Sequence, residues 1–267
     1  NIKKKFAMGQ LISYLVFQPP ETNTYTLDFP FRATELTTAS GKTTYAYFLK
    51  SKDPNEKRVV IYSHGNATDI GENFEFLVRL RDLLNVNILH YEYLGYGLTR
   101  KEHQPSEQGV YECAEAAMNF ALNTLKSTED QVFLFGTSLG TAPTCYLASK
   151  YRKVRGVLLE TPFLSICRIQ FDSFLVRPFD LFENYARIVN VDAPVCIVHG
   201  MNDTVVPFEH GLSLYKLVPY KYPPLVSFSN LKFALTFSKW LDNADHNNFR
   251  EKYGYSKYMK MVHAFFN

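Results

Sequence analysis

One serine in this chain lies in a local pattern that could make it a nucleophile. Ser138 is the centre of a G-T-S-L-G run at 136–140, which follows an apolar run at 132–135 and precedes a helix-like segment at 141–150. A strand, this G-x-S-x-G turn and a helix in succession raise the serine hydroxyl above the edge of a sheet. The turn is tight, so we expect Gly136 and Gly140 to be required by space.

A serine hydroxyl is a weak nucleophile at neutral pH and needs a base, which in turn needs an orienting carboxylate. After such a turn, the acid follows the serine in sequence and the histidine follows the acid. Asp203 and Glu160 both end predicted strands after Ser138. We favour Asp203, because the residues after Glu160 lead into an irregular insert.

Three histidines follow Asp203 in the chain. His210 falls in the predicted helix after the acid loop, and His263 lies near the end of the terminal helix. His246 follows the last predicted strand in a polar loop, where it would face Ser138. We therefore predict that His246 is the base and that Ser138, Asp203 and His246 form a catalytic triad.

Acyl transfer also needs backbone N–H groups that stabilise a developing oxyanion. The N–H of Leu139, just after the serine, is one predicted donor. The second is expected from the H-G-N-A loop at 64–67, where either Asn66 or Ala67 could supply it. Gly65 would permit the turn that aims this N–H inward, and His64 would hold the loop.

The elements that must position these residues alternate along the chain. Continuous apolar strands are predicted near 58–63, 86–92, 132–135, 154–160, 194–198 and 235–241, with helices between them. Such alternation indicates an α/β fold with a mostly parallel central sheet and helices on both faces. We also expect an N-terminal antiparallel hairpin within 25–49. The predicted organisation is an amphipathic or anchoring segment at 1–24 and a single domain at 25–267, with a small insert over the active site at 161–190 and an aromatic connection at 218–235.

Composition excludes several function classes. The formal net charge is +3, too small to indicate a nucleic-acid partner, and no apolar run reaches the roughly 20 residues that cross a bilayer. The four cysteines are widely spaced in apolar patterns, so they are expected to be buried thiols outside any disulfide. The histidines lack metal-ligand spacing. We therefore predict no metal. The sequence contains no G-x-G-x-x-G run and no phosphate-binding loop, so we also predict no nucleotide and no other cofactor.

The N-terminal segment contains a second motif. Met8 and Gly9 begin a run that matches the N-myristoylation pattern M-G-x-x-x-[ST]. Gly9 is a lipidation candidate if Met8 is the initiator, and mass spectrometry of the native N-terminus would decide this. The alternative is a short amphipathic helix that covers one edge of the domain.

Taken together, these motifs resemble the α/β-hydrolase superfamily over 25–267, and within it the α/β-hydrolase domain-containing protein 17 group. The matching runs are S-H-G-N-A at 63–67, D-I-G at 69–71, Y-E-Y-L-G-Y-G at 91–97, G-T-S-L-G-T at 136–141, T-P-F at 161–163, F-D-L-F-E-N at 179–184, H-G-M-N-D at 199–203, H-G at 210–211 and D-H-N at 245–247. The resemblance implies a membrane-tethered serine hydrolase that removes palmitate from protein cysteines, with Ser138, Asp203 and His246 as its triad. Two features depart from that group: no cysteine precedes Cys113, and the connection at 218–235 is long and aromatic.

The expected function is therefore the cleavage of acyl thioesters or esters, with an S-acylated protein or a lipid acyl ester as substrate. The insert is rich in apolar residues, and we expect a substrate pocket lined by Phe163, Leu164, Phe174 and Phe179. The alternatives are a serine peptidase, a lipid esterase or lysophospholipase, and a non-catalytic binding fold. A cytoplasmic monomer is expected, with peripheral membrane contact through the N-terminus.

Overall fold

The computed structural model describes residues 16–170, 180–221, 238–241 and 244–267, with backbone alone at Gln170 and 238–240. Eight strands within these ranges form one sheet. They are β1 (Thr34–Thr37), β2 (Thr43–Leu49), β3 (Val59–Ser63), β4 (Asn87–Tyr91), β5 (Val132–Thr137), β6 (Gly156–Glu160), β7 (Val195–Gly200) and β8 (Ser238–Leu241). The order across the sheet is β1-β2-β4-β3-β5-β6-β7-β8. The predicted final strand thus begins at Ser238 in the described part, and 235–237 lie outside it.

The pairing of these strands confirms the predicted hairpin and mostly parallel sheet. β1 pairs antiparallel with β2, and β2 pairs antiparallel with β4. The pairs from β4 through β8 are parallel. In register, Ser63 is opposite Gly136 and Thr137 is opposite Glu160. The loops that follow β3, β5 and β6 therefore leave the sheet at one common edge.

Helices cover both faces of the sheet, as predicted. The described α-helices are α1 (Phe74–Leu84), α2 (Glu107–Asn119), α3 (Thr141–Lys150), α4 (Ile166–Gln170), α5 (Asn184–Ile188), α6 (Phe208–Leu217), α7 (Phe249–Tyr253) and α8 (Tyr255–Phe266). Helix α2 begins after Ser106, because the Ser106 side chain accepts a hydrogen bond from Gly109 N–H at 3.1 Å and so caps the helix. Gly254, at φ +85°, separates α7 from α8.

Two hydrophobic cores lie on opposite faces of the sheet. Along β3, Val59 and Ile61 belong to one core, and Val60 and Tyr62 belong to the other. This alternation follows from the period of two in a strand. Because both faces are covered by helices, all five residues of β3 are buried. The continuous apolar runs in the sequence are thus explained by two-sided burial.

All four cysteines lie in the described part of the chain. Burial raises the pKa of the Cys113, Cys145 and Cys196 thiols to about 12, and that of Cys167 to about 11. All four are buried and none forms a disulfide, as predicted.

None of the helices in the described ranges combines the length and apolar character that crossing a membrane requires. The Gly9 motif and most of the 218–235 connection lie outside the described residues.

Candidate active site

Ser138 lies in a strained turn between β5 and α3. Its φ angle is +52°, a left-handed conformation that costs a non-glycine residue about 1–2 kcal/mol. A Cβ atom at Gly136 would lie 2.3 Å from the Gly140 carbonyl oxygen, and one at Gly140 would lie 2.0 Å from the Ser63 carbonyl oxygen. Both contacts are with backbone that cannot move aside. The structure thus confirms that the two glycines are required by space, and it shows that the serine holds the strained conformation.

The structure brings Ser138, His246 and Asp203 together in one chain of hydrogen bonds. His246 Nε2 lies 2.9 Å from Ser138 Oγ, and His246 Nδ1 lies 2.7 Å from Asp203 Oδ2. These contacts join residues 108 and 43 positions apart. The Asp203 side chain is fully buried and the His246 ring is 11% exposed. One ring nitrogen of His246 thus faces the hydroxyl and the other faces a carboxylate shielded from water.

Asp203 is held in its charged form by several donors. Burial by itself would raise the pKa of this carboxyl, but hydrogen bonds from His199 and His246 and from backbone N–H groups hold it well below its usual range. Oδ1 accepts from the N–H groups of Val205 at 2.9 Å and Val206 at 2.8 Å. The carboxylate is therefore fixed in orientation as well as in charge.

His199 is a neighbour of Asp203 that sequence reasoning missed. It is fully buried at the end of β7, with Nε2 at 3.3 Å from Asp203 Oδ2 and at 2.9 Å from the Val206 carbonyl oxygen. Gly211 packs directly on its ring, since a Cβ there would lie 2.4 Å from His199 Nδ1. The available signal was a histidine at a strand end, four residues before the acid. Because it lies against the carboxylate, His199 helps to position Asp203.

Glu160, the alternative acid, makes a different set of contacts. Its carboxylate is buried at the end of β6 and accepts hydrogen bonds from Thr137 at 2.7 Å and from the hydroxyl of Tyr258. It also forms an ion pair with Arg250. The structure therefore brings Asp203, and not Glu160, to the base.

The other candidate histidines are placed away from the serine. The ring of His210 accepts a hydrogen bond at Nδ1 from Leu164 N–H at 3.1 Å. Burial, with a contribution from His199, lowers the pKa of His210, so this ring is held neutral. His263 is exposed on α8. Of the three histidines, His246 is the one that the fold brings to Ser138.

The loop after β3 lies against the serine. A Cβ atom built on Gly65 would be 3.6 Å from Ser138 Cβ, so the backbone of this loop runs beside the nucleophile candidate. The predicted role of Gly65 needs correction: the left-handed residue of the loop is Ala67, at φ +54°. His64 holds the loop as expected, because its fully buried Nε2 lies 3.0 Å from Glu92 Oε1. Leu139, the other predicted oxyanion donor, is buried in the first turn after Ser138.

The predicted substrate-pocket residues do not share one environment. Phe163 is 1% exposed and belongs to the core that includes Val59 and Ile61, and its carbonyl oxygen accepts a hydrogen bond from Asn184. It therefore lines no open pocket, because its ring is used in packing the insert onto the sheet. Leu164 is partly exposed, and Phe174 and Phe179 lie outside the described residues. Beside Asp203, Met201 is 44% exposed and Val205 is 54% exposed. In the described part of the chain, no group of three or more acidic, histidine or cysteine side chains is arranged to hold a metal ion.

Comparison with known proteins places the chain among the hydrolases. No family model matches it. It is 36% identical over 200 residues to an alpha/beta hydrolase of Acanthamoeba polyphaga mimivirus, which covers 75% of this chain and 71% of that protein. It is 31% identical over 284 residues to human alpha/beta hydrolase domain-containing protein 17B, which covers 96% of this chain and 91% of that protein. The match to the 17C protein of Xenopus tropicalis is 34% identical but spans only 62% of that protein's length.

Solved structures agree on the fold. An esterase of Pyrococcus furiosus superposes with a TM-score of 0.67 at 14% identity, covering 94% of this chain and 98% of that one. A puromycin-hydrolyzing peptidase of Mycobacterium tuberculosis superposes with a TM-score of 0.63 at 16% identity, covering 88% of this chain and 38% of that one. At such identities the superpositions show the fold alone. With the sequence relatives, they show an esterase-like hydrolase fold: the chain belongs to the α/β-hydrolase family, alongside the domain-containing protein 17 proteins.

Proposed function

We propose that this protein is a serine hydrolase that cleaves acyl thioesters or esters, and specifically an acyl-protein thioesterase that removes long acyl chains from protein cysteines. The observation that carries the proposal is the hydrogen-bond chain from Ser138 through His246 to Asp203. It is supported by the strained φ angle of Ser138, which presents the hydroxyl at the end of a sheet.

In the proposed reaction, Ser138 Oγ attacks the carbonyl carbon of the acyl group while His246 Nε2 takes the hydroxyl proton. Asp203 stabilises the imidazolium that forms. The negative charge on the carbonyl oxygen is stabilised by the N–H of Leu139 and by an N–H of Asn66 or Ala67. The tetrahedral intermediate then expels the thiolate or alkoxide, which receives the proton from His246. Water, activated by His246, hydrolyses the acyl-enzyme.

Two features favour an acyl chain over a peptide. The exposed apolar side chains of Met201 and Val205 flank Asp203 in the sequence. Leu164, which directly follows the buried Phe163, is also partly exposed. Each methylene that such surfaces bury contributes about 0.8 kcal/mol, so eight methylenes could contribute several kcal/mol. A thiolate also leaves readily at neutral pH, whereas an amine leaves only when the His246 imidazolium donates a proton to it.

The chain-length dependence of turnover tests the substrate class. The experiment compares kcat/KM for acyl thioesters of two to sixteen carbons with the values for p-nitrophenyl esters, a lysophospholipid and peptide amides. We expect a rise with chain length and faster cleavage of thioesters than of amides. A flat response, or faster cleavage of amides, would favour a peptidase, and a clear preference for the lysophospholipid would favour a lipid esterase.

Labelling with a fluorophosphonate tests the nucleophile. Wild type should be labelled at Ser138, and Ser138→Ala should remain folded but lose labelling and about three or more decades of kcat, because the three residues act as a unit. Normal labelling of Ser138→Ala would show that another residue is the nucleophile.

A further inference from the structure

The Asn66 side chain follows Gly65, which lies against Ser138, and it is hydrogen-bonded to two other segments of the chain. Its Oδ1 accepts hydrogen bonds from Gln18 N–H at 3.0 Å and from the Tyr96 hydroxyl at 2.6 Å. Its Nδ2 donates to the Val16 carbonyl oxygen at 2.6 Å. Asn66 is also one of the two residues whose backbone N–H is a candidate oxyanion donor.

The two segments that hydrogen-bond to this amide, residues 16–18 and Tyr96, each place a buried aromatic ring in the domain. Phe17, between the two backbone partners, is 4% exposed and packs edge-to-face on Phe182 with ring centroids 5.8 Å apart. Tyr96 is fully buried in the same core. The segment at 16–18 is therefore packed into the domain through Phe17. Its hydrogen bonds to Asn66 are made by main-chain groups, the N–H of Gln18 and the carbonyl oxygen of Val16.

The first residue of the 64–67 loop, His64, is held by Tyr93 and Glu92. The Tyr93 hydroxyl donates to the His64 carbonyl oxygen at 2.7 Å, and the His64 ring contacts Glu92. These contacts fix the start of the loop. Asn66 lies further along, immediately before Ala67 with its left-handed φ angle, so its three side-chain bonds fix the part of the loop that carries both candidate N–H groups.

We infer that Tyr96 and the backbone of residues 16–18 are positioning elements of the oxyanion hole, and that they act through the Asn66 side chain. This inference rests on the proposed function. An oxyanion donor must lie 2.7–3.1 Å from the place where the charge develops, so its backbone cannot drift. Without the hydrogen bonds of the Asn66 side chain, the N–H groups of the loop would sample a wider range of positions. A misplacement of about 1 Å can cost on the order of 100-fold in rate.

The test uses the full chain and four proteins: wild type, Asn66→Ala, Tyr96→Phe and the double variant. The measured quantities are kcat and KM for a short p-nitrophenyl ester, the Ki of a trifluoromethyl ketone that forms an oxyanion with the serine, and the thermal unfolding midpoint. Asn66→Ala should lower kcat by about 10- to 100-fold and weaken the ketone in parallel, with KM changed less than about threefold. Tyr96→Phe should lower kcat by a smaller factor, and the double variant should equal Asn66→Ala, because both changes remove the same hydrogen bond.

Tyr111→Phe is the matched control. It removes another hydroxyl from a buried tyrosine, one that donates to Glu107 at 3.0 Å within helix α2, and it keeps the ring that packs on Phe182. It should leave kcat and the Ki unchanged. If Asn66→Ala fails to fold, Tyr96→Phe against Tyr111→Phe still decides the question.

The outcomes separate this inference from the proposed function. If wild type shows turnover that depends on Ser138 but the Asn66 and Tyr96 variants keep kcat and Ki within twofold, the positioning role is wrong and the hydrolase proposal stands. If the variants lose stability but retain kcat per folded molecule, the contacts are structural only and the inference is overturned. Absence of any Ser138-dependent turnover in wild type would overturn both.

Discussion

The guanidinium of Arg250 lies 2.5 Å from the buried carboxylate of Glu160. Arg250 follows His246 by four residues, and Glu160 is also bound to Thr137, which precedes Ser138. The ion pair therefore ties the helix after the histidine loop to the strand end that carries the serine. Glu160 therefore has a structural role close to the site, and Asp203 is the acid that contacts the base, His246.

This arrangement predicts that substituting Asp203 lowers kcat, whereas substituting Glu160 lowers the free energy of unfolding. Asp203→Asn should lower kcat by about 10⁴, because an asparagine favours the wrong tautomer of the histidine, while the free energy of unfolding changes little. Glu160→Gln should instead destabilise the fold by about 3 kcal/mol, since it leaves Arg250 without its charge partner. Steady-state kinetics and urea unfolding on both variants check this. A larger loss of kcat per folded molecule in Glu160→Gln would mean that the acid has been misassigned.

The stability of the protein should fall in mild acid because of His90. Burial lowers the pKa of His90 well below its usual value, and His64 adds to this shift. The unfolded histidine takes up a proton near pH 6.5, whereas the folded one stays neutral, so the unfolded state binds more protons below that pH. The free energy of unfolding should therefore decrease below about pH 6.5, by up to about 1.4 kcal/mol per pH unit for one such group.

Urea unfolding of wild type and His90→Phe at pH 8, 7, 6 and 5 measures that contribution. The difference in unfolding free energy between the two proteins should shift in favour of the variant as the pH falls. His210, whose pKa is also lowered by burial, leaves a residual slope in both proteins. Asp203 acts in another window, because its stabilisation is present above about pH 3.9 and is lost as the pH falls below that value. Parallel curves would show that His90 is not the group responsible.

The turn at Ser138 should not accept a methyl group at its second glycine. Gly140→Ala would place a Cβ atom 2.0 Å from the Ser63 carbonyl oxygen and 2.6 Å from that of His64. We expect a loss of about 3 kcal/mol or more in unfolding free energy, or no soluble protein. Soluble yield, circular dichroism and urea unfolding are the measurements.

Gly65→Ala is the matched control for stability, since its nearest non-neighbouring atoms would lie 3.6 Å from the new Cβ. It should fold and unfold like wild type. Equal stability of Gly140→Ala and Gly65→Ala would mean that the turn can relax and that its glycines are not required by space.

The sequence by itself determined the elements and the order of the candidate residues. Two-sided burial makes a strand apolar at every position, so β3 and β5 could be recognised from local composition. The need for Gly136 could be read from the turn itself, because its clash is with Gly140, whereas the clash at Gly140 is with Ser63 on the adjacent strand. The order of serine, acid and histidine excluded His64 as the base.

Only the tertiary structure decided between residues with the same local signal. Asp203 and Glu160 both end parallel strands, and the difference between them is a partner, Arg250, that lies 90 residues from Glu160 in the chain. Phe163 was expected in a pocket but is buried in the core, because apolar side chains give the same pattern in both places. The role of Asn66 was equally hidden: its amide contacts lie 48, 50 and 30 residues away. Side-chain contacts of this range depend on how the loops meet at the sheet edge, and no local spacing in the chain records them.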